Sequence, residues 1–196
     1  MTRTESAERA RLSREAVVDG ALALAGEAGM DGLTIRRLAH QLGVTPMALY
    51  WHFKNKDELL VGMADRVWSL VDSGVDPALS WPEQLRALMR SLVGVLRAHP
   101  DVTPLLGSVG VTRTSSCLPI TDAALSILHR AGYSPRQSAD LCVHGLRTAV
   151  GLVAGERHTI AAAEPPSSRD DLDAYYEFGL ELFIAGVIAL VPHPSS

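Results

Sequence analysis

The stretch Leu33 to Leu60, LTIRRLAHQLGVTPMALYWHFKNKDELL, decides how this chain is read. It contains two short helical patterns, Ile35 to Leu42 and Pro46 to His52, separated by a tight Gly43-Val44 break. Thr34 stands where it can cap the first helix. Thr45 can cap the second, with Pro46 at the first helical position, where its missing N–H costs nothing. Gly43 suits the turn because glycine enters the left-handed region freely after a helix. Leu38, Ala39 and Leu42 share one face at helical spacing, and Val44 and Leu49 continue that apolar seam across the turn. The spacing predicts a helix-turn-helix in which the first helix fixes the angle of the second.

The second helix leaves Thr45, Pro46, Met47, Tyr50, Trp51 and His52 outward, followed by Lys54, Asn55 and Lys56. Two aromatic rings and a histidine on so short a helix make a poor core. They suit base edges, thymine methyls and phosphates in a major groove. The same spacing also allows an ordinary helical hairpin in which Tyr50 and Trp51 pack on a neighbour, and Phe53 is expected to pack that way. Arg36, Lys54 and Lys56 flank the proposed reading helix.

A chain of 196 residues can bury a substantial core as one medium domain or two small ones. Its 47% apolar content with few aromatics and many Ala and Leu points to an all-α fold of about nine or ten helices. With only Cys117 and Cys142, no disulfide framework is implied, and a reducing cytoplasm is the expected location. The polar start MTRTESAERARLS is expected to carry no signal peptide. The longest apolar run, Phe178 to Val191, contains Glu181 and is too short to span a bilayer, so no membrane partner is expected. The net charge of −4 lies in the second part: residues 1–60 carry eight Lys/Arg against eight Asp/Glu, and residues 61–196 carry ten against fourteen. A neutral reading head can still hold phosphate when its cations share a face, and such binding falls steeply with salt.

In chain order, residues 1–12 read as an arm whose Arg3, Arg9 and Arg11 are expected to be solvated. Ser13 caps a helix to about Ala28, ended by Gly29. Asn55 caps a long helix to about Val71, with Glu58 closing a capping box. DSGVDPAL, Asp72 to Leu79, has the Gly, Pro and Asp of a linker and is expected to be the boundary between two domains, 1–72 with the reading helix and 73–196. Ser80-Trp81-Pro82-Glu83 then opens a buried helix that stops at His99-Pro100. A short helix around Val102 to Leu106, a loop to Ser116, a helix from Pro119 to Ala131 and a helix from Pro135 past Gly155 to about Ile160 follow. Ala161 to Asp171 is a loop by composition. The last helix, about Asp170 to Val191, is apolar on more than one face and so needs two surfaces to pack on, its own core and, as expected here, a copy of itself, the alternative being that it completes a larger monomeric core. The expected homodimer interface comprises 135–155 and 170–191 of each chain, and a twofold dimer places two reading helices on a palindromic operator in double-stranded DNA.

No catalytic or metal reading survives. The seven His show no ligand-spaced pair, and no acidic residue or Cys completes a set. His99 is expected to serve as a helix C-cap through its charge or donor. No phosphate-binding glycine loop, nucleophile elbow or carboxylate pair stands out, so no enzyme activity, no cofactor and no metal are expected.

Residues 12–68, and above all TPMALYWHFKNKDELL, resemble the DNA-binding domain of the TetR family of transcriptional regulators. SWPEQLRALMRSLV, LHRAGYSP and YYEFGLELFIAGV are similar in order and spacing to the C-terminal domain of the tetracycline repressors. The resemblance implies a homodimeric, ligand-responsive repressor. Thr34 and Lys56 would contact phosphate, supported by Tyr50 and His52; Arg36 would reach a guanine edge; Thr45, Pro46, Met47, Trp51 and Lys54 would complete the surface. Pro46 replaces a polar base reader of the tetracycline repressors, which implies a different operator. Those repressors hold a metal-bound drug through a His and an acidic residue, but matching positions here are Leu106 and Gly155, so a metal-tetracycline effector is not expected. The alignment instead implies an apolar pocket lined by Leu88, Leu92, Leu106, Val109, Leu125 and Cys142, with Thr121 and His144 as its polar groups, for a small lipophilic effector. The alternatives are an activator, or a DNA-binding regulator whose core is filled and takes no ligand.

Overall fold

The computed structural model describes residues 12–109, 114–155 and 168–192. Among these the chain is all-helical, with nine helices and no strand: α1 Arg14–Gly32, α2 Ile35–Gln41, α3 Pro46–Tyr50, α4 Lys56–Trp68, α5 Trp81–Ala98, α6 Thr103–Val109, α7 Leu118–Arg130, α8 Pro135–Gly155 and α9 Arg169–Ala189. The arm expected over 1–11, the middle of the loop expected before Ser116, the helical extension expected past Gly155 and most of the loop expected from Ala161 lie outside the described residues.

The first four helices form the head. Ser13 Oγ accepts the Ala16 N–H at 3.0 Å and starts α1. Gly29, at φ 70°, breaks the helix where glycine can and other residues strain. One further turn then carries the chain to Gly32, four residues beyond the expected end at Ala28. α1 packs on α2 and α4, and it approaches closely because Gly20 has no side chain: a Cβ there would meet Leu42 Cδ2 at 2.8 Å. Val17, Ala21, Leu38, Leu49, Leu59 and Met63 fill the centre, each no more than 2% exposed. Leu49 is the one buried residue of α3. Truncating it to Ala would remove that anchor at about 2–5 kcal/mol.

α4 leaves the head and ends at Trp68, short of the expected Val71; Ser69 to Val71 continue as a turn held by Ser69 N–H to Asp65 O and Val71 N–H to Trp68 O. The boundary segment is built from side-chain turns, Asp72 Oδ1 accepting Gly74 N–H and Asp76 Oδ1 accepting Ala78 N–H, both at 2.9 Å. Buried Gln84 ties that segment down by donating to the carbonyls of Asp76 and Leu79.

α5 runs through the middle of the second half and packs on α7, α8 and α9. Its apolar side, Leu85, Leu88, Met89, Leu92, Val93 and Leu96, is buried as the i, i+3, i+4, i+7 pattern requires. Its edge carries Arg86, Arg90 and Arg97, which pair with Glu181, Glu177 and Asp173 of α9 at 2.5, 2.7 and 2.5 Å. Exposed pairs of this kind contribute about 0–1 kcal/mol each, so the ladder sets the register of α9 more than it stabilises the fold. α8 meets α9 through small residues, as their composition predicts: a Cβ on Gly145 would touch Phe183 Cζ at 3.3 Å, and one on Gly179 would overlap Leu152 Cδ2.

Three features differ from the sequence reading. α6 takes up residues 107–109, which the composition assigns to a loop. Ser168 caps α9 through Asp171, so the helix begins inside the loop expected from Ala161 to Asp171. At His99 the backbone N–H does cap α5 by donating to Leu96 O, but burial and then nearby Arg66 hold the imidazole below its ordinary pKa. Of the charge or donor expected at that helix end, the charged form is thereby disfavoured.

Candidate nucleic-acid interface and inner cavity

The turn between α2 and α3 is closed by Gly43 N–H to His40 O and Val44 N–H to Ala39 O, with Gly43 at φ 65°. Thr34 Oγ1 accepts the Arg37 N–H at 3.2 Å and Thr45 Oγ1 accepts the Ala48 N–H at 3.3 Å. Each cap uses its oxygen as acceptor and leaves the O–H available to donate outward. Met47 is 66%, Tyr50 47% and Trp51 65% exposed. Thr34, Arg36, Thr45, Pro46, Lys54 and Lys56 are exposed too, while His52 is half-buried. All ten residues expected at the DNA surface are thus exposed or half-buried between Thr34 and Lys56, with Thr34 and Thr45 capping α2 and α3 and Trp51, His52 and Lys54 in the turn from α3 to α4.

What fixes this surface from behind is a clamp that the sequence does not signal. Arg14 donates to the His52 carbonyl at 3.0 Å, pairs with Glu58 at 3.1 Å and lies 4.3 Å over the Phe53 ring. Glu58 in turn accepts the Lys54 N–H at 2.8 Å, while Asn55 Oδ1 accepts the Glu58 N–H. The capping box predicted for Asn55 thus closes one residue earlier, on Lys54. Those donors hold the Glu58 carboxyl below the usual carboxylate pKa, the Lys54 N–H first and Arg14 second. Arg37 is spent on the Gly32 carbonyl at 3.1 Å. Among the described residues, Arg36, Lys54 and Lys56 have no carboxylate partner. They are free to meet an anion.

The second half encloses a cavity of about 250 Å³ bounded by α4, α5, α7, α8 and α9. Leu88, Leu92, Thr121, Leu125 and Cys142 of the sequence-derived pocket line it. Leu106 is fully buried but packs elsewhere, His144 is exposed on the outer side of α8, and the Val109 side chain lies outside the described residues. Trp68, Met89 and Phe183 also line the cavity, and no sequence motif points to them. Trp68 sits at the end of a head helix, so only the tertiary path of α4 brings it there. Among the described residues, no charged side chain lines the space. The Thr121 hydroxyl donates to the Cys117 carbonyl at 3.0 Å, and burial pushes the Cys142 thiol up to about 11. No group of three or more His, Cys, Asp or Glu that could hold a metal occurs among the described residues, and no described helix is long and apolar enough to cross a membrane.

Residues 17–63 match the family of bacterial regulatory proteins of the tetR type. The chain is 34% identical over 156 residues to the class C tetracycline repressor protein of Escherichia coli, covering 79% of this chain and 70% of that protein. Among solved structures it is similar to BioQ with its natural double-stranded DNA operator, with a TM-score of 0.74 and 28% identity over 91% of this chain and 99% of that one. A variant of TetR from Acinetobacter baumannii AYE in complex with minocycline gives a TM-score of 0.79 and 28% identity over 93% and 99% of the two chains. With a helix-turn-helix head whose reading helix is exposed, a helical second half around a cavity, and relatives matched along most of its length, the chain belongs to the TetR family of DNA-binding transcriptional regulators.

Proposed function

We propose that this chain is a homodimeric repressor that binds a palindromic operator and is released by a small, uncharged, lipophilic effector in the cytoplasm. Residues 1–72 would bind DNA; residues 73–196 would dimerise and take the effector. The observation that carries the reading is the outward face of α3, with Met47, Tyr50 and Trp51 exposed, and the exposed cations Arg36, Lys54 and Lys56 on the segments either side of it, none with a carboxylate partner among the described residues. An apolar centre with a cationic rim fits a groove, where rings and methyls meet base edges and cations meet phosphates. Thr34 and Lys56 would hold phosphate, with Tyr50 and His52 beside them, and Arg36 would select a guanine.

Dimerisation is supported by α9, where Phe178 (70% exposed), Leu182 (66%), Ala185 and Ala189 recur at i, i+4, i+7 and i+11 on the side turned away from the chain's own core. With Val143 of α8 also exposed, the pair α8 and α9 has the apolar face that a second copy would cover. The effector class follows from the cavity wall. A formal charge placed among Leu88, Leu92, Leu125 and Phe183 would lose its hydration with no countercharge in return. The metal-tetracycline complex is therefore a poor fit, whereas an aromatic or polyketide-like molecule with one donor for the Thr121 oxygen fits, since the Thr121 O–H is already given to the Cys117 carbonyl.

Selection of duplexes from a random library, followed by gel-shift titration with and without candidate lipophilic metabolites, tests the reading. A palindromic consensus released by an uncharged ligand supports it. Binding that does not discriminate sequence rejects it, and sequence-specific binding unaffected by any cavity ligand favours a regulator that takes none.

A further inference from the structure

We propose that Asp65 is the positioning residue that couples the cavity to the reading head, through a latch on the segment just before α7. The inference rests on the DNA-binding and ligand-responsive reading above. α4 reaches the cavity at two points. One is direct: Trp68 forms part of the wall. The other runs through Asp65, one turn earlier, whose carboxylate accepts the Ser116 N–H at 2.8 Å and faces the Ser115 hydroxyl at 3.4 Å. Ser115 and Ser116 lead straight into Cys117, Ile120 and Thr121, which form the opposite side of the cavity. The Cys117 carbonyl also accepts the Thr121 hydroxyl, so a shift at residue 116 carries the polar group of the cavity with it.

The far end of α4 is equally committed. Glu58 is gripped by Arg14 and by the Lys54 N–H, directly behind the reading helix. One helix thus has one end on the support of α3 and the other bonded to the segment that leads into the cavity wall. The neighbouring Arg66 is already paired with Asp19 of α1 at 3.0 Å, so among the described residues Asp65 is the α4 carboxylate joined to the second half of the chain. Within the segment, the Thr114 hydroxyl is almost fully buried and makes no hydrogen bond among the described residues. A buried hydroxyl left unpaired favours any rearrangement that lets it find a partner. The charge-assisted bond from Ser116 to Asp65 opposes that rearrangement. Ligand that presses on Cys117 and Thr121 would therefore pull or release α4 through Asp65, and Asp65→Ala would leave both binding sites intact but uncoupled.

The test uses the full-length chain, Nile red as an uncharged fluorescent cavity probe, and a palindromic duplex selected with the wild-type chain. Probe affinity is measured with and without saturating duplex, because linkage makes the effect of DNA on probe equal to the effect of probe on DNA. The wild-type chain should bind the probe about tenfold more weakly on DNA, a factor within the usual range of such couplings. Asp65→Ala should bring that ratio within about twofold while each single affinity stays close to wild type. Asp65→Asn, which keeps an acceptor for the Ser116 N–H, should restore most of the ratio. An undiminished ratio in Asp65→Ala overturns the latch alone. A wild-type chain that binds the probe equally with and without DNA, or not at all, overturns the ligand-responsive reading and the latch with it.

Discussion

Trp51 and Phe178 are almost equally exposed, 65% and 70%, yet their surroundings differ. Trp51 ends a five-residue helix on a segment that carries the exposed cations Lys54 and Lys56 a few residues on and that the Arg14–Glu58 clamp braces. Phe178 stands on a 21-residue helix whose exposed stripe continues through Leu182, Ala185 and Ala189 without a charge. Exposure alone says that each ring offers apolar surface to a further molecule. The rim says which one. Cations around an apolar centre match the polyanionic wall of a groove, and a long uncharged stripe matches another copy of itself.

That contrast can be broken most sharply at α9. Replacing Phe178 and Leu182 together with Glu should give monomers in sedimentation, and loss of the second head should weaken operator binding by about 100-fold or more. Trp51→Ala should leave the dimer untouched and weaken only DNA binding. Within the head, Arg36→Ala should relax selectivity at one base pair of each half-site, worth about 1–3 kcal/mol in competition binding on a randomised library. Lys56→Ala should instead weaken all duplexes alike and lower the slope of log affinity against log salt by about 1 for each phosphate no longer neutralised. The smallest effect concerns the seam between the two halves. The folded state holds His99 below its usual pKa of 6.5, so the unfolded chain takes up that proton more readily. Stability should therefore be undiminished above pH 6.5 and decline as pH falls below it toward the folded value. His99→Gln should flatten part of that decline in melting temperature.

The head is legible in the sequence because its determinants are local. Thr34, Thr45 and Asn55 each cap a helix through an N–H three residues on, Gly43 marks the turn by its φ, and Pro46 marks a first turn; each acts within a few positions of itself. The clamp behind it is not legible, since Arg14 and Glu58 meet across 44 positions and the capping box that marks Glu58 says nothing of Arg14. Gly20 offers a faint signal, a glycine on the apolar side of a helix, which is explained only once Leu42 is seen against it. In the second half, periodicity identifies which residues are buried but not which share a cavity. Leu106 and Leu92 read alike as apolar helix positions, and one lies in the core while the other lines the space. His144 falls outside the pocket expected for it because a small rotation of α8 decides whether a position faces α7 or solvent, and no local pattern fixes that rotation. Trp68 escapes the sequence for the converse reason: its helix belongs by pattern to the head.

The central claim is that α3 presents a sequence-reading surface to DNA, and titration of the purified dimer against its selected palindrome and a scrambled duplex of equal length tests it directly. The account predicts strong preference for the palindrome, a steep loss of affinity with salt, and loss of that preference when Met47, Tyr50 and Trp51 are replaced by Ala with the dimer intact. Equal affinity for the two duplexes, or a preference that survives removal of those three side chains, would contradict it.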